Sequence, residues 1–287
     1  MKIADLLKQD RPTLSFEVFP PKTSATYQSV EKATLEIAAL RPAFMSVTYG
    51  AGGGTSDYTV GIAAGIREKF GVEVLAHLTC LSSTRAHVSH VLDQLQERGI
   101  HNIMALRGDV PEGGAPAHDY RYAAQLVADI RAHGGDFCIG GACYPEGHPE
   151  SPSKAADIDH LKAKVEAGCQ FLTTQMFFDN NILYNFLYRI RERGITVPVV
   201  AGIMPVTNGS QIARILKLSG TYLPERFKAI VDRFGDDPPA MAQAGGAYAT
   251  EQIIDLLANG VNHIHVYSMN KPDIAAGIQA SLSEIVK

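Results

Sequence analysis

The feature that most constrains the fold is a regular alternation of short apolar runs with longer amphipathic stretches along the whole chain. Eight runs rich in apolar and β-branched residues have the length of strands, and they cover residues 13–19, 44–50, 72–80, 102–109, 138–145, 171–178, 198–205 and 263–269. Helical patterns lie between them. In residues 85–98, for example, Val88, Val91, Leu92 and Leu95 share one face. Eight strand–helix units predict an α/β chain folded as a closed (βα)8 TIM barrel.

Glycines support this division, because one follows each of several helical runs, where a left-handed residue commonly ends a helix. They are Gly99, Gly134, Gly168, Gly194, Gly220 and Gly260. No linker-like segment occurs, so we expect residues 1–287 to form a single domain. The irregular segment is 221–244, where residues 224–234 predict an extra helix. The alternative fold is an open doubly wound sheet. Its support is the glycine-rich run 50–55, in which Thr55 replaces the last glycine of a dinucleotide fingerprint.

Composition narrows the class of protein. The chain is 46% hydrophobic with a net charge of −4, and it has no block of Lys and Arg, which argues against nucleic acid as a partner. No apolar run approaches the roughly 18 residues of a membrane span, and the first ten residues are too polar for a secretion signal, so we expect a cytoplasmic protein with no membrane partner. Four widely spaced cysteines suggest neither disulfides nor zinc. His263 and His265 have metal-ligand spacing, but no acidic motif accompanies them, and we expect no metal.

Polar residues that end the predicted strands are the candidates for chemistry, because a barrel of this kind carries its site at the carboxyl ends of its strands. Glu17 stands out, since Phe16 and Val18 flank it. If it faces the barrel, desolvation raises its pKa toward that of a general acid; the alternative is a glutamate that points outward under the first helix. Further polar residues at strand ends are Thr48, Tyr49, His77, Thr79, Arg107, Asp109, Tyr144, Glu146, Thr173, Thr174, Gln175, Tyr267, Asn270 and Lys271.

Two segments suit a nucleotide. In Arg107-Gly108-Asp109 the glycine permits close backbone approach, the arginine suits a pyrophosphate and the aspartate accepts hydrogen bonds; the alternative is a local ion pair. The polar loop 144–150 precedes Asp157 and Lys164, although ordinary turn chemistry would also explain it. His77 lies on an apolar strand, where a histidine is more often a core residue than a ligand.

Taken together, these residues resemble the methylenetetrahydrofolate reductases, flavin-dependent enzymes of one-carbon metabolism. The resemblance extends over residues 14–278 and rests on seven motifs in family order. They are residues 15–22 (SFEVFPPK), 46–51 (SVTYGA), 76–80 (AHLTC), 105–109 (ALRGD), 144–150 (YPEGHPE), 174–179 (TQMFFD) and 202–206 (GIMPV).

The resemblance implies a barrel that binds FAD without a Rossmann unit. It implies FAD contacts from Thr48, Tyr49, Ala51, His77, Arg107, Gly108, Asp109, Tyr122, Ala123, Tyr144, His148, Asp157, His160 and Lys164. Glu17 and Asp109 would be catalytic, the first as the acid and the second as a group that tunes the flavin and stabilises the cationic folate. The folate would contact Glu17, Asp109, Gln175, Gln211 and Lys271.

In the implied reaction NAD(P)H reduces FAD and leaves, and 5,10-methylenetetrahydrofolate then takes its place and becomes 5-methyltetrahydrofolate. The resemblance also implies a homo-oligomer, either a dimer or a tetramer. Because the chain ends soon after the eighth helix, we expect the regulatory domain of eukaryotic members to be absent.

The sequence departs from the family at several positions. Residues 209–220 contain no aromatic side chain, where some relatives stack one on the nicotinamide, and this favours an alternative in which a protein partner exchanges electrons with the flavin. Lys271 stands where an arginine is common, and it is a point charge rather than a bidentate fork. His160 also differs from the usual residue. An aldolase with a Schiff-base lysine is disfavoured, because no lysine lies within the eight predicted strands.

Overall fold

Eight parallel strands form a closed barrel in the computed structural model, which describes residues 1–21, 23–49, 56–109 and 115–286. The strands are β1 (Thr13–Val18), β2 (Met45–Val47), β3 (Val74–Thr79), β4 (Asn102–Leu106), β5 (Cys138–Cys143), β6 (Phe171–Thr174), β7 (Val199–Ile203) and β8 (His263–Tyr267). They pair in chain order, and β8 returns to pair with β1. The predicted barrel is therefore confirmed and the open sheet is wrong; the glycine-rich run 50–55 lies outside the described residues.

The helices lie between the strands. They are α1 (Ile3–Leu6), α2 (Tyr27–Ala38), α3 (Ser56–Phe70), α4 (Arg85–Glu97), α5 (Ala123–His133), α6 (Lys154–Ala167), α7 (Asn180–Glu192), α8 (Ile212–Ser219), α9 (Glu225–Phe234), α10 (Pro238–Ala258) and α11 (Pro272–Ser281). The four apolar residues predicted to share a face of α4 are all buried. The six glycines predicted to end helices all have positive φ.

The predicted strands extend too far at their carboxyl ends. Pairing of β6 ends at Thr174, whereas the apolar run continues to Phe178. Phe177 and Phe178 are nevertheless fully buried, because Phe177 packs in the main core cluster and Phe178 packs against Phe227 of α9. Burial without strand pairing gives the same apolar pattern as a strand, which explains the difference.

The irregular segment after β7 is helical. Predicted residues 224–234 form α9, and predicted residues 209–220 form a short 3-10 turn followed by α8. The rings of Phe178, Phe227 and Tyr248 pack against one another, with centroids 5.0 Å and 4.4 Å apart. This small cluster ties α9 and α10 to the end of β6.

Helix α1 closes the amino-terminal end of the barrel. This helix was not predicted from the sequence. Ile3, Leu6 and Leu7 are buried in one cluster with Phe44 and Phe171. The backbone N–H of Ile3 donates to Asn102 Oδ1 at 2.8 Å, which satisfies a polar group that would otherwise be buried without a partner. Side chains in the barrel therefore meet solvent at the opposite end, where the strands terminate.

The helices and the cysteines of the described residues bear on two properties considered from the sequence. None of their helices is long and apolar enough to cross a membrane. All four cysteines are buried free thiols, as predicted.

Candidate active site

Glu17 points into the barrel near the carboxyl ends of the strands. Its neighbours Phe16 and Val18 are fully buried on the outer face of β1 against the helices, so the outward-facing alternative is wrong. The Glu17 side chain is about 20% exposed, and its Oε2 lies 3.6 Å from His77 Nε2 and 3.4 Å from Ser46 Oγ. Burial raises the pKa of Glu17 to about 8. The group is therefore a protonated acid at neutral pH.

The backbone around Glu17 is held by the loop that follows β8. Ser268 Oγ donates to the Glu17 carbonyl at 2.6 Å. Asn270 accepts from the Phe19 N–H at 3.0 Å and donates to the Phe19 carbonyl at 2.9 Å. Met269 and Asn270 both have a φ of +54°, a left-handed conformation that Asn tolerates better than most residues. These hydrogen bonds hold the carboxyl end of β1 against the loop that follows β8.

Lys271 directly follows Asn270, and its side chain extends toward the end of β7. Its Nζ donates to Thr207 Oγ1. Thr207 is buried, so the ammonium lies against the rim of the barrel rather than in open solvent. A cation at this position could bind an anionic group of a ligand.

Two buried histidines lie beside and below Glu17. Burial lowers the pKa of His77 to about 4 and that of His265 to about 3, so both are neutral at pH 7. His77 Nε2 is buried and has no hydrogen-bond partner among the described residues. Thr173 Oγ1 is likewise buried without a partner. A bound water molecule or ligand would satisfy these two atoms.

His263 lies lower on the inner face of β8 and does not share a site with His265. Its ring bonds to Thr13 Oγ1 at 3.0 Å and to the Leu7 carbonyl at 2.9 Å, both at the closed end. Within the described ranges, no three side chains among His, Cys, Asp and Glu are grouped so as to hold a metal ion.

The turn after β4 brings its backbone close to β3. Gly108 has a φ of +76°, and a Cβ there would lie 2.8 Å from Thr79 Cβ. Arg107 pairs with Glu150 of the loop after β5, with Nη2 2.8 Å from Oε1, so its partner is 43 positions away in sequence rather than a local one. Because the Glu150 carboxylate is 66% exposed, a ligand anion could replace it with little desolvation of protein charge. Asp109 is exposed.

The loop after β5 lies beside this turn. Tyr144 packs edge-on against His148, with centroids 4.7 Å apart. Burial raises the pKa of Tyr144 to about 12, and the charge of Asp109 adds to that shift, which places the two groups near each other. Ser151 Oγ donates to Asp157 Oδ1 at 3.1 Å.

Helices α5 and α6 complete this side of the site. Tyr122, directly before Ala123 at the start of α5, stacks on His160 of α6 with centroids 6.5 Å apart. Lys164, also on α6, donates to the Ala142 carbonyl, and burial lowers the pKa of its ammonium. Most candidate FAD contacts thus lie on elements that follow β4 and β5.

Other predicted site residues lie apart from this group or outside the described structure. Tyr49 is buried, and its hydroxyl is 2.8 Å from His87 Nε2 of α4, so the hydroxyl faces the helix layer. The backbone N–H of Thr48 donates to the Val18 carbonyl at 3.0 Å. Gln175 Oε1 accepts from the adjacent Met176 N–H at 3.0 Å. Gln211 ends the 3-10 turn before α8 but its side chain, like Ala51 as a whole, lies outside the described part.

Comparison with known proteins assigns this barrel to a family. The family model described as methylenetetrahydrofolate reductase matches residues 2–283. The chain belongs to the methylenetetrahydrofolate reductase family. This confirms the resemblance drawn from the seven motifs and makes the chain a member of a family of enzymes.

Relatives in the methylenetetrahydrofolate reductase family differ in length. The chain is 37% identical over 271 residues to the 5,10-methylenetetrahydrofolate reductase of Pectobacterium carotovorum subsp. carotovorum, covering 94% of this chain and 90% of that protein. It is 35% identical over 298 residues to methylenetetrahydrofolate reductase (NADH) 1 of Zea mays, covering 99% of this chain but 50% of that one. The chain therefore spans nearly all of the bacterial relative and about half of the plant one.

A solved structure resembles the barrel more distantly. It is an uncharacterised protein from Clostridium thermocellum that binds two copies of 5-methyl-5,6,7,8-tetrahydrofolic acid. The TM-score is 0.65 with 12% identity, over 99% of each chain. At that identity the similarity shows the fold alone.

Sequence reasoning missed three residues that shape this candidate site. Ser15, Ser46 and His265 form a hydrogen-bonded group below Glu17. Glu146, a candidate from the sequence, accepts from the Tyr222 N–H across the rim at 2.9 Å. A signal exists for Ser15 and His265, because polar residues recur at every second position in β1 and β8. That period places them on the same inner face as Glu17.

Proposed function

We propose that this chain reduces 5,10-methylenetetrahydrofolate to 5-methyltetrahydrofolate, with FAD as its cofactor and NAD(P)H as the electron donor in a ping-pong cycle. Membership of the family supports the overall reaction. The observation that carries the mechanism is the position of Glu17 inside the barrel near the carboxyl ends of the strands, where burial raises its pKa to about 8.

Glu17 supplies the proton that the reaction requires. Opening the five-membered ring of the folate breaks a carbon–nitrogen bond and leaves an amine nitrogen that must be protonated, directly or through a water molecule. A carboxylic acid with a pKa of about 8 carries its proton at neutral pH and has a pKa suited to proton transfer there. Because the neighbouring His77 and His265 are neutral, neither forms an ion pair that would favour the ionised form of Glu17.

The described residues fit a bound FAD. Gly108 has no Cβ that would clash with Thr79 at 2.8 Å, so the turn after β4 keeps a conformation in which its backbone would contact the cofactor. The unpartnered Nε2 of His77 gives a polar ligand a hydrogen-bonding atom. Arg107 and Lys164 supply positive charge near the position proposed for the pyrophosphate. FAD, when bound, supplies hydride transfer between the nicotinamide and the folate.

Residues on the opposite rim would orient the folate. Lys271, held at Thr207, would bind its carboxylate tail through a single charged group. Gln175 and Gln211 would hydrogen-bond to its heterocycle, and Asp109 would stabilise the cation formed when the ring opens. These roles remain proposals derived from the family resemblance.

An anaerobic absorbance titration tests the proposed function. The purified protein should show a flavin spectrum that bleaches when NADH or NADPH is added and returns when methylenetetrahydrofolate follows. Absence of bound flavin after incubation with FAD would contradict the proposal. So would a reduced flavin that methylenetetrahydrofolate does not reoxidise.

A second candidate is a flavin subunit that exchanges electrons with a protein partner. The observation that favours it is α8, which with the preceding turn contains no aromatic residue to stack on a nicotinamide. Flavin that neither nicotinamide reduces, but that dithionite reduces and the folate reoxidises, would support this candidate. The assembly into a dimer or tetramer also stays a prediction, which light scattering on the purified protein would test.

A further inference from the structure

Three buried side chains link Glu17 to the interior of the barrel. Ser46 Oγ of β2 is 3.4 Å from Glu17 Oε2 and 2.9 Å from His265 Nε2 of β8. The other nitrogen of His265, Nδ1, is 2.8 Å from Ser15 Oγ of β1, and Ser15 Oγ is 2.9 Å from the Ile264 carbonyl. Ser15, Ser46 and His265 are almost completely excluded from solvent. We call these three residues the serine–histidine chain.

The direction of the hydrogen bonds follows from the far end of this chain. A backbone carbonyl only accepts, so the Ser15 hydroxyl donates its one proton to Ile264. Ser15 Oγ must then accept from His265, which places the ring proton on Nδ1. Because His265 is neutral, its Nε2 carries a lone pair and accepts from the Ser46 hydroxyl.

The consequence for Glu17 comes from proton counting at Ser46. A serine hydroxyl has one proton, and Ser46 donates it to His265 Nε2, which in this tautomer can only accept. Toward Glu17 it presents only lone pairs. A protonated Glu17 can donate to these lone pairs, whereas an ionised Glu17 would be repelled by them.

We propose that Ser15, His265 and Ser46 are positioning residues that hold Glu17 as a hydrogen-bond donor, and so in its acid form, through a one-way chain that ends on the Ile264 carbonyl. The role of that acid in folate reduction rests on the proposed function, but the hydrogen-bond chain does not. Because the chain ends at a buried carbonyl, it cannot resupply a proton. The proton that Glu17 gives up must therefore be replaced from the open end of the barrel.

Other groups that face Glu17 do not reverse this arrangement. His77 approaches from β3 and is neutral, and the Tyr267 hydroxyl on β8 donates to the Thr174 carbonyl. Among the described residues, no lysine, arginine or aspartate lies within ion-pair distance of the Glu17 carboxyl group. The pKa of Glu17 therefore responds to burial and to the direction of the bond from Ser46.

The first test is the tautomer of His265. Nitrogen-15 NMR of the histidine-labelled protein with its bound cofactor, with the resonances assigned by their loss in His265→Phe, distinguishes a proton on Nδ1 from one on Nε2. The proposal requires the proton on Nδ1. A proton on Nε2 would overturn it, because Ser46 would then be free to donate to Glu17.

The second test measures the pKa of Glu17 by infrared spectroscopy, with the protonated carboxyl band assigned by its loss in Glu17→Gln. His265→Phe keeps a planar ring in place but removes the acceptor, so Ser46 turns to the carboxylate and the pKa of Glu17 should fall by at least one unit. The matched control is His265→Phe in a Ser46→Ala background, where no further fall is expected. An unchanged pKa in His265→Phe, together with a raised pKa in Ser46→Ala, would show that Ser46 already donates to Glu17.

Ser15→Ala keeps the proposal testable if the ring substitution prevents folding. Removing the acceptor of the Nδ1 proton allows His265 to carry its proton on Nε2, which releases Ser46 to donate to Glu17. We expect the nitrogen-15 pattern to switch and the pKa of Glu17 to fall in this variant. If neither changes, the chain does not control Glu17. None of these readouts uses folate or NAD(P)H, so their failure is distinct from failure of the proposed function.

Discussion

Glu17 is a carboxylic acid in a largely apolar environment. Its substitution should separate reduction of the flavin by NAD(P)H from reduction of the folate by the flavin. Glu17→Gln keeps the shape and a hydrogen-bonding group but removes the proton donor. We expect FAD to remain bound and reducible, while the rate of folate reduction falls by about a hundredfold or more. Glu166→Gln is the matched control, because Glu166 is 66% exposed and only pairs with Lys162 on the same helix. Equal folate turnover in both variants would remove Glu17 from the mechanism.

The same residue makes the stability of the protein depend on pH. The pKa of Glu17 is about 8 in the folded chain and about 4.5 in the unfolded one, so unfolding releases its proton between those values. Raising the pH therefore favours unfolding, by at most about 1.4 kcal/mol per pH unit, and the effect is complete above pH 8. Urea unfolding at pH 5, 7 and 9 should show the wild-type stability falling relative to Glu17→Gln. A constant difference across this range would contradict the raised pKa.

Gly108 permits a comparison of two glycines with the same backbone conformation. Gly108 and Gly194 have φ values of +76° and +78°, but only at Gly108 would a Cβ meet another residue. Both alanine variants should lose about 1–2 kcal/mol of stability from left-handed strain. Gly108→Ala should in addition weaken FAD binding about tenfold or more, measured by flavin fluorescence, because Thr79 must move. Equal FAD affinity in the two variants would argue against flavin contact at this turn.

At the scale of elements, the loop after β8 supports the end of β1 through Asn270. Asn270→Ala removes two hydrogen bonds to Phe19 and places alanine at a φ of +54°, so we expect a loss of about 1–3 kcal/mol and a higher KM for the folate. Asn262→Ala, at the other end of the same strand, removes only a long contact to Asp10 and should change stability by less than about 0.5 kcal/mol. Matching folate KM values would show that the loop does not position the site.

The sequence predicted best the strands and helices in which buried residues recur at the regular spacing of that element. All eight strands begin within two residues of their predicted starts, and α4 matches its prediction at its first residue, because inner and outer faces impose their own residue types. Helix α1 was not predicted, since its four residues carry too short a pattern. The closed amino-terminal end of the barrel thus became apparent only from tertiary packing.

For the molecule as a whole, barrel closure explains what the sequence could not predict at the site. Glu17 could be predicted because its apolar neighbours are adjacent in sequence. The contact of Ser15 with His265 joins residues 250 positions apart and exists only because β8 pairs with β1. The pairing of Arg107 with Glu150 likewise depends on which loops become neighbours around the barrel.

In the proposed function, Glu17 delivers its proton to the folate while the barrel keeps it in the acid form. The most direct measurement is the single-turnover rate at which methylenetetrahydrofolate reoxidises the reduced flavin, followed by stopped flow from pH 6 to pH 10 in the wild type and in Glu17→Gln. We predict a wild-type rate that is constant at low pH and falls about tenfold per unit above pH 8, with a slow rate in Glu17→Gln that lacks this transition. A wild-type rate without a fall above pH 8, matched by Glu17→Gln, would contradict this role of Glu17.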